Sequence, residues 1–271
     1  MPNKRKPAPV PIVKQLRQLR SPAERERTGT FYIEGSRIVA QAIQAEAEIE
    51  VGVIAPGLLK DTEHATETIA ALRATGVKIV ELSNAEFESI SFKENLQGIG
   101  AVIRRRSETL KNIQIKPGQL WVALDNVGNS GNLGAIMRTA DATGCTGLFL
   151  VGKTTDPYHP VTVRASMGSL FALRLIRASF EEFVAWKQAS GYSVVGTTPD
   201  VDQEYRSVAY PLSCVLLMGS ERYGLSTAQQ ALCDMLITIP MVGTADSLNL
   251  GVATSIVLYE IFYQRRNNPS C

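Results

Sequence analysis

The 271-residue sequence is poor in the side chains that build metal centres and disulfide frameworks. Its four cysteines, Cys145, Cys214, Cys233 and Cys271, lie far apart and form no CxxC pair. That spacing argues against a zinc site or a disulfide scaffold. Three of them sit in apolar stretches and read as small core residues in a reducing cytosol. Only two histidines are present, His64 and His159, so a histidine-based metal site or a Ser-His-Asp triad has little material. No apolar run reaches the roughly 18–20 residues of a membrane-spanning helix. The stretch from Met1 to Val13 holds Lys4, Arg5 and Lys6 but no apolar core, which excludes a secretory signal. Its prolines argue against the amphipathic helix of an organelle presequence. A cytoplasmic protein with no metal and no membrane association is expected.

An excess of one charge is also lacking. Lys and Arg total 28 against 26 Asp and Glu, a formal charge of +2, so composition alone does not announce a nucleic-acid binder. The distribution says more. Lys4, Arg5, Lys6, Lys14, Arg17, Arg20, Arg25 and Arg27 face only Glu24 and Glu26 in the first 30 residues, and Arg104-Arg105-Arg106 forms a second cluster. Such patches either neutralise phosphates or are the solvated faces of a terminal helix and a linker.

What is present is a twofold α/β alternation, at a length natural for two domains. In the first third, Val13 to Arg27 reads as a basic helix and Thr30 to Ile33 as a strand. Gly35 opens a helix to about Ala45. Val51 to Ala55 is a strand, Thr62 to Thr75 a helix stopped at Gly76, Val77 to Leu82 a strand, Asn84 the cap of a short helix, and Gly98 to Ile103 a strand. Residues 104–117 are charged and aperiodic, the pattern of a linker. The expected division is 1–105, a 106–117 linker, and 118–271. From Gly118 the strands are apolar runs: Leu120 to Leu124, Gly147 to Val151, Tyr192 to Thr197, Cys214 to Met218 and Leu236 to Ile239. With the helices Asn132 to Thr143 and Phe180 to Ser190, a helix capped by Ser226, and a last helix from Ser247 to Arg266, they predict a mostly parallel sheet. The last helix is apolar nearly all round, so it is either a core helix or a subunit interface. Gly251 within it points to close packing.

Ligands of open α/β sheets bind beyond the carboxyl ends of the strands. Three such loops carry unusual residues: Asp125–Gly134, Met218–Gly224 and Ile239–Asn249. The first is Gly/Asn-rich, and its spacing is GxxGxxG rather than GxGxxG, a weak dinucleotide signal. Its glycines let backbone N–H groups approach an anion near a helix start. Taken singly, the first two loops read more readily as ordinary turns into helices.

Taken together and in this order, the three resemble the motifs of the SpoU (TrmH-type) RNA methyltransferase family of the SPOUT superfamily. Asn132-Leu-Gly-Ala-Ile-Met-Arg138-Thr-Ala resembles the first motif and Gly219-Ser-Glu221-Arg-Tyr-Gly224 the second. Ile239-Pro-Met with Ser247-Leu-Asn249-Leu-Gly-Val-Ala resembles the third. Phe31-Tyr-Ile-Glu34-Gly35 and Asn95-Leu-Gln97-Gly98 look like the ribosomal-protein-like, RNA-gripping domain that often precedes it. Ser130 departs from the family's usual proline and Gly251 from its common serine.

The resemblance implies an N-terminal α/β/α domain and a C-terminal SPOUT domain with a deep trefoil knot. It also implies a homodimer through the last helix, and S-adenosyl-L-methionine bent in the knot. By position Gly219, Ile239 and Leu248 contact the cofactor, with Met218, Met241 and Thr197 as neighbours. Arg138 activates or orients a ribose 2′-hydroxyl, while Asn132, Glu221, Ser247 and Asn249 fix Arg138 and the ribose. Arg5, Lys6, Arg17, Arg20, Arg104, Arg105 and Arg106 are candidate phosphate contacts. Ribosomal RNA, 23S in particular, is favoured over transfer RNA, and thiopeptide resistance shares the layout. Two other classes stay in view. A nicotinamide-dependent oxidoreductase would want an acidic residue where Gly152-Lys153 stands. A non-catalytic RNA-binding protein would have no use for the Asn132, Arg138, Glu221 and Asn249 set.

Overall fold

The computed structural model describes residues 10–59, 63–92, 95–114 and 116–267. The chain packs as two units. One runs to Arg105 and takes in Tyr158–Phe171; the other comprises Arg106–Pro157 and resumes at Ala172.

In the first unit α1 (Val10–Gln18) and α2 (Pro22–Thr28) replace the single helix expected from Val13 to Arg27. Pro22 opens α2, and a residue before proline is pushed out of helical geometry, so the chain breaks at Ser21. The break leaves carbonyls at the end of α1 exposed. Arg25, fully buried, closes them by donating from Nη1 to the Leu19 and Arg20 oxygens, each at 2.8 Å. Next come β1 (Thr30–Glu34), α3 (Ser36–Gln44), β2 (Ile49–Ile54), α4 (Glu63–Ala74), β3 (Lys78–Glu81), α5 (Asn84–Ile90) and β4 (Ile99–Arg104). Thr62, expected to begin α4, lies outside the described residues. The cap of α5 is Ser83 and not Asn84: Ser83 and Glu86 form a reciprocal capping box. The sheet order is β1-β4-β2-β3, with only β2 and β3 parallel. One face carries Val13 and Leu16 of α1, Leu19 just after it, and Phe87 and Ile90 of α5 on Tyr32, Val53, Val80 and Val102. The other carries the packed pair α3 and α4, an α/β/α sandwich.

The second unit is built on six strands, all parallel, in the order β10-β8-β9-β5-β6-β7. They and their helices run β5 (Leu120–Asp125), α6 (Ser130–Ala142), β6 (Gly147–Val151), α7 (Pro160–Ala165), β7 (Arg174–Ala178), α8 (Phe180–Ser190), β8 (Ser193–Thr197), β9 (Cys214–Met218), α9 (Thr227–Leu232), β10 (Met235–Ile237) and α10 (Leu250–Asn267). The apolar runs are explained by burial on both faces: every residue of β5, β6 and β9 is buried. Trp121, Phe149, Phe183 and Trp186 form an aromatic cluster with centroids 4.8–5.7 Å apart. The aperiodic stretch read as a linker enters this core through Leu110 and Ile113, and Glu108 pairs with Arg174 of β7.

Helix α7 belongs with the first unit, not with the strands that flank it in sequence. The Phe31 ring lies 4.6 Å from Tyr158 and 6.3 Å from Phe171, and the Arg105 guanidinium sits 4.8 Å over Tyr158. Among the described residues no helix is long and apolar enough to cross a membrane, and no group of three His, Cys, Asp or Glu side chains is placed to hold a metal.

Candidate active site

The strand order reverses between β5 and β9: the chain proceeds from β5 through β6 to β7 on one side, while β9, β8 and β10 lie on the other. A crevice forms at such a switch point, where neighbouring loops depart in opposite directions. The loops after β5, β9 and β10 are the three singled out by sequence, and hydrogen bonds join them.

Asn129 caps α6, its Oδ1 accepting from the N–H groups of Gly131 at 2.8 Å and Asn132 at 3.0 Å. Glu221, three residues past β9, accepts on Oε2 from the Gly128 and Asn129 N–H groups at 3.2 and 3.1 Å. Its Oε1 takes the Asn132 side-chain amide. The Asn132 carbonyl in turn accepts from Asn249 Nδ2 at 3.0 Å. Glu221, Asn132 and Asn249 therefore form one chain of side-chain hydrogen bonds across positions 28 to 117 residues apart. Asn249 ends it by accepting on Oδ1 from Gly251 N–H at 2.9 Å and Val252 N–H at 3.3 Å. Those bonds cap α10, which begins at Leu250. Ser247, expected as that cap, is displaced from the role because it stands outside the helix's first turn.

A cleft of about 300 Å³ opens beside this network. Thr197, Met218, Gly219, Ile239, Met241 and Leu248 all line it, together with Glu221 and Ser247. Its size falls at the lower end of the roughly 300–1,000 Å³ that holds a drug-sized ligand. Thr197 donates to the Met218 sulfur at 3.6 Å. Gly219 permits a turn that no other residue would: a Cβ there would lie 2.1 Å from the Gly224 carbonyl carbon. Two bonds between Ser220 and Gly224 close that turn and leave Tyr223 76% exposed. Sequence reading missed Thr198, Asp200 and Asp246, which also line the cleft. The signal available for the first two was their place directly after β8, another strand end on the same edge.

Arg138 is not among the lining residues. It is exposed on α6, about 9 Å along the axis from Asn132, and makes no hydrogen bond or ion pair among the described residues. At the two departures from the family pattern, Ser130 shares a hydrogen bond with Thr155 at 2.8 Å, which proline would not. The nearest neighbour of a Cβ on Gly251 would be its own cap atom, Asn249 Oδ1, at 3.2 Å. Of the expected phosphate contacts, Arg17 donates to Ser89, and Arg20 to the Ser89 and Ser91 carbonyls. Arg104 pairs with Glu48 and Glu50, and Arg105 with Glu26. Arg106 is exposed. Arg5 and Lys6 lie outside the described residues.

Residues 119–259 match the SpoU rRNA Methylase family. The chain belongs to this family. Residues 10–101 match the MRM3-like substrate binding domain. Over 250 residues the chain is 30% identical to the 23S rRNA (guanosine(2553)-2′-O)-methyltransferase RlmP of Bacillus subtilis, covering 92% of this chain and 95% of that protein. Over 248 residues it is 32% identical to a 23S rRNA (uridine(2479)-2′-O)-methyltransferase of Streptomyces viridochromogenes, covering 89% and 85%. The crystal structure of an AdoMet-bound rRNA methyltransferase from Sinorhizobium meliloti superposes with a TM-score of 0.84 at 37% identity, covering 95% of each chain. The cofactor of this SpoU protein is S-adenosyl-L-methionine. The lining is chemically compatible with such a cofactor: Met218, Ile239 and Leu248 are apolar, as a flat ring requires, and Glu221, Asp200 and Asp246 bring carboxyl groups that would suit a cation.

Proposed function

We propose that this SpoU methyltransferase places a methyl group on a ribose 2′-hydroxyl of 23S ribosomal RNA, with residues 1–105 as the RNA-binding domain and 118–271 as the catalytic one. The observation that carries the reading is the Glu221–Asn132–Asn249 chain, which gathers three distant loops around a cleft of cofactor size. The names of the Bacillus and Streptomyces relatives supply the RNA.

Bound S-adenosyl-L-methionine supplies an electrophilic methyl group. The protein's task is to hold the acceptor oxygen in line and ease its proton away. Glu221 has both oxygens engaged, so it braces loops rather than taking a proton. Ser247 lines the cleft with a hydroxyl that has no partner among the described residues, which frees it for the ribose. Arg138, an unpaired cation, holds the neighbouring phosphate and the hydroxyl. As a base it would be awkward, since a guanidinium carries only N–H donors and no acceptor for a proton.

Because Arg138 stands outside its own chain's cleft, this role calls for a second copy. The proposed dimer face is α10, where Val252, Tyr259 and Tyr263 are 49%, 52% and 63% exposed at spacings of seven and four, one stripe of the helix. The family's trefoil knot and a cytoplasmic location are part of the proposal. Arg5, Lys6, Arg17, Arg20, Arg104, Arg105 and Arg106 are the proposed phosphate contacts. The test is transfer of tritiated methyl to ribosomal RNA from cells lacking the gene, followed by mass spectrometry. One 2′-O-methylated nucleotide in 23S RNA is expected. Failure of every RNA to accept methyl, with no affinity for the donor, would overturn it.

A further inference from the structure

A cavity of greater volume than the cofactor cleft lies apart from it. It measures about 540 Å³, lies within the first unit, and shares no lining residue with the cleft. Its wall combines β1, the start of α3, the segment around Phe92, and α7 with its flanks. Two of its cations, Arg37 and Arg164, are exposed and have no hydrogen bond or ion pair among the described residues. A third, Arg20, lies 4.8 Å from the Phe92 ring centroid, and its Nη2 donates to the Ser91 carbonyl at 2.8 Å. Phe92 is 36% exposed. Its position is set from below: buried Glu34 accepts the Ser91 hydroxyl at 2.7 Å and the Phe92 N–H at 3.4 Å. Gln97 accepts from Ser36 N–H at 3.0 Å, and its Nε2 has no partner among the described residues.

An aromatic shelf with a guanidinium laid on it, two unpaired guanidinium groups and one free amide donor are the elements that grip an unstacked nucleotide. A bare phosphate would not need the shelf, nor the apolar floor given by Ile38 and Val163. Because α7 comes from the sequence between β6 and β7, the cavity exists only when that segment packs on the first unit.

We infer that this cavity binds one single-stranded nucleotide of the RNA substrate, other than the one methylated, with its phosphate held by Arg37 and Arg164 and its base stacked on Phe92 and Arg20. The inference rests on the reading of this protein as an RNA methyltransferase. It acts on RNA affinity and not on the chemical step.

The test uses the full chain and a 23S RNA fragment that it methylates. Binding is followed by fluorescence anisotropy at several salt concentrations for wild type, Arg37→Ala/Arg164→Ala, Arg37→Lys/Arg164→Lys and Phe92→Ala. Loss of both arginines is expected to reduce the slope of log K against log salt by about 0.7, the value for one single-strand phosphate. The lysine pair retains the slope. Phe92→Ala weakens binding about tenfold. Donor affinity by calorimetry and kcat at saturating RNA stay at wild-type values while KM rises. Unchanged RNA affinity and slope in both alanine variants, beside a wild type that methylates, sink this inference alone. So does micromolar binding of free nucleoside monophosphates that the variants lose without change in RNA affinity. A wild type that methylates no RNA sinks the proposed function, and this inference falls with it.

Discussion

Asn132 donates through its amide nitrogen to Glu221 and accepts at its carbonyl from Asn249, so its orientation is fixed by partners at both ends. Asn249 does two jobs, bonding Asn132 and capping α10. Asn249→Ala is expected to cost about 1 kcal/mol from the cap alone, a fall in Tm of roughly 2–4 °C for a domain of this size, and to lower methyl transfer by more than that loss explains. Calorimetric melting beside a methyl-transfer assay separates the two. Arg138→Ala removes a side chain with no partner among the described residues, so stability and donor binding should hold while transfer to RNA collapses; full activity on the true RNA refutes the role. The buried thiols give a pH signature. Burial pushes Cys145 up to about 12 and Cys214 up to about 11, the latter opposed by Arg265. Below about pH 8.5 an unfolded thiol is protonated as well, and these groups leave stability unchanged. Above it the unfolded chain releases protons that the folded chain keeps, so stability falls as pH rises through 11 to 12. Urea midpoints from pH 8 to 10.5 should decline, and Cys145→Ala should decline less steeply. At this scale the sequence was readable chiefly through its likeness to a family, which assigned the expected cofactor residues by position. All six residues expected around the cofactor line one cleft. It was unreadable where two types do the same work: Ser247 and Asn249 are both good caps, and only the bonds to Gly251 and Val252 distinguish them.

At the scale of elements, strands buried on both faces announce themselves. Residues 120–124 and Cys214–Met218 are apolar runs because both faces of their strands are covered. The edge strand β7, Arg174–Ala178, carries two arginines in five residues and has no such run. Helix α7 is six residues long, too short for a 3.6-residue period to show. The basic helix expected from Val13 to Arg27 fails at Pro22, a breaker that helical periodicity on either side concealed. Turns are where a single atom decides. Gly219→Ala would drive a methyl group into the backbone of Gly224, which cannot rotate away as a side chain would. The expected result is loss of donor affinity by at least tenfold in calorimetry, with the melting temperature less affected than by a substitution in the Trp121 cluster. Wild-type affinity in Gly219→Ala would show that the turn does not shape the cleft.

At the scale of the whole molecule, the exposed stripe of α10 is the feature that a single copy leaves open. Tyr259→Glu/Tyr263→Glu places charge on that stripe. If the proposed dimer holds, light scattering should report a dimer for wild type and a monomer for this variant, with methyl transfer lost; an unchanged mass would refute the proposed interface. The convergence of three loops was not legible in periodicity at all, because hydrogen bonds between residues 89 to 117 positions apart leave no local trace. Only the likeness of the three motifs to a family joined them in advance.

The excursion of Tyr158–Phe171 into the first unit has a bearing on how this protein was assembled. The polypeptide crosses between its two units three times, near Arg105, Pro157 and Phe171. Neither unit is thus a cassette that one cut would release. A fragment starting at Arg106 would carry Tyr158 and Phe171 without the Phe31 ring they pack on. A fragment ending at Arg105 would leave Phe31 without Tyr158 and Phe171, and the proposed nucleotide cavity without the part of its wall from His159 to Met167. Shuffling of RNA-binding and catalytic halves between relatives would therefore have to carry this fourteen-residue piece along with the half it covers rather than with the half that encodes it.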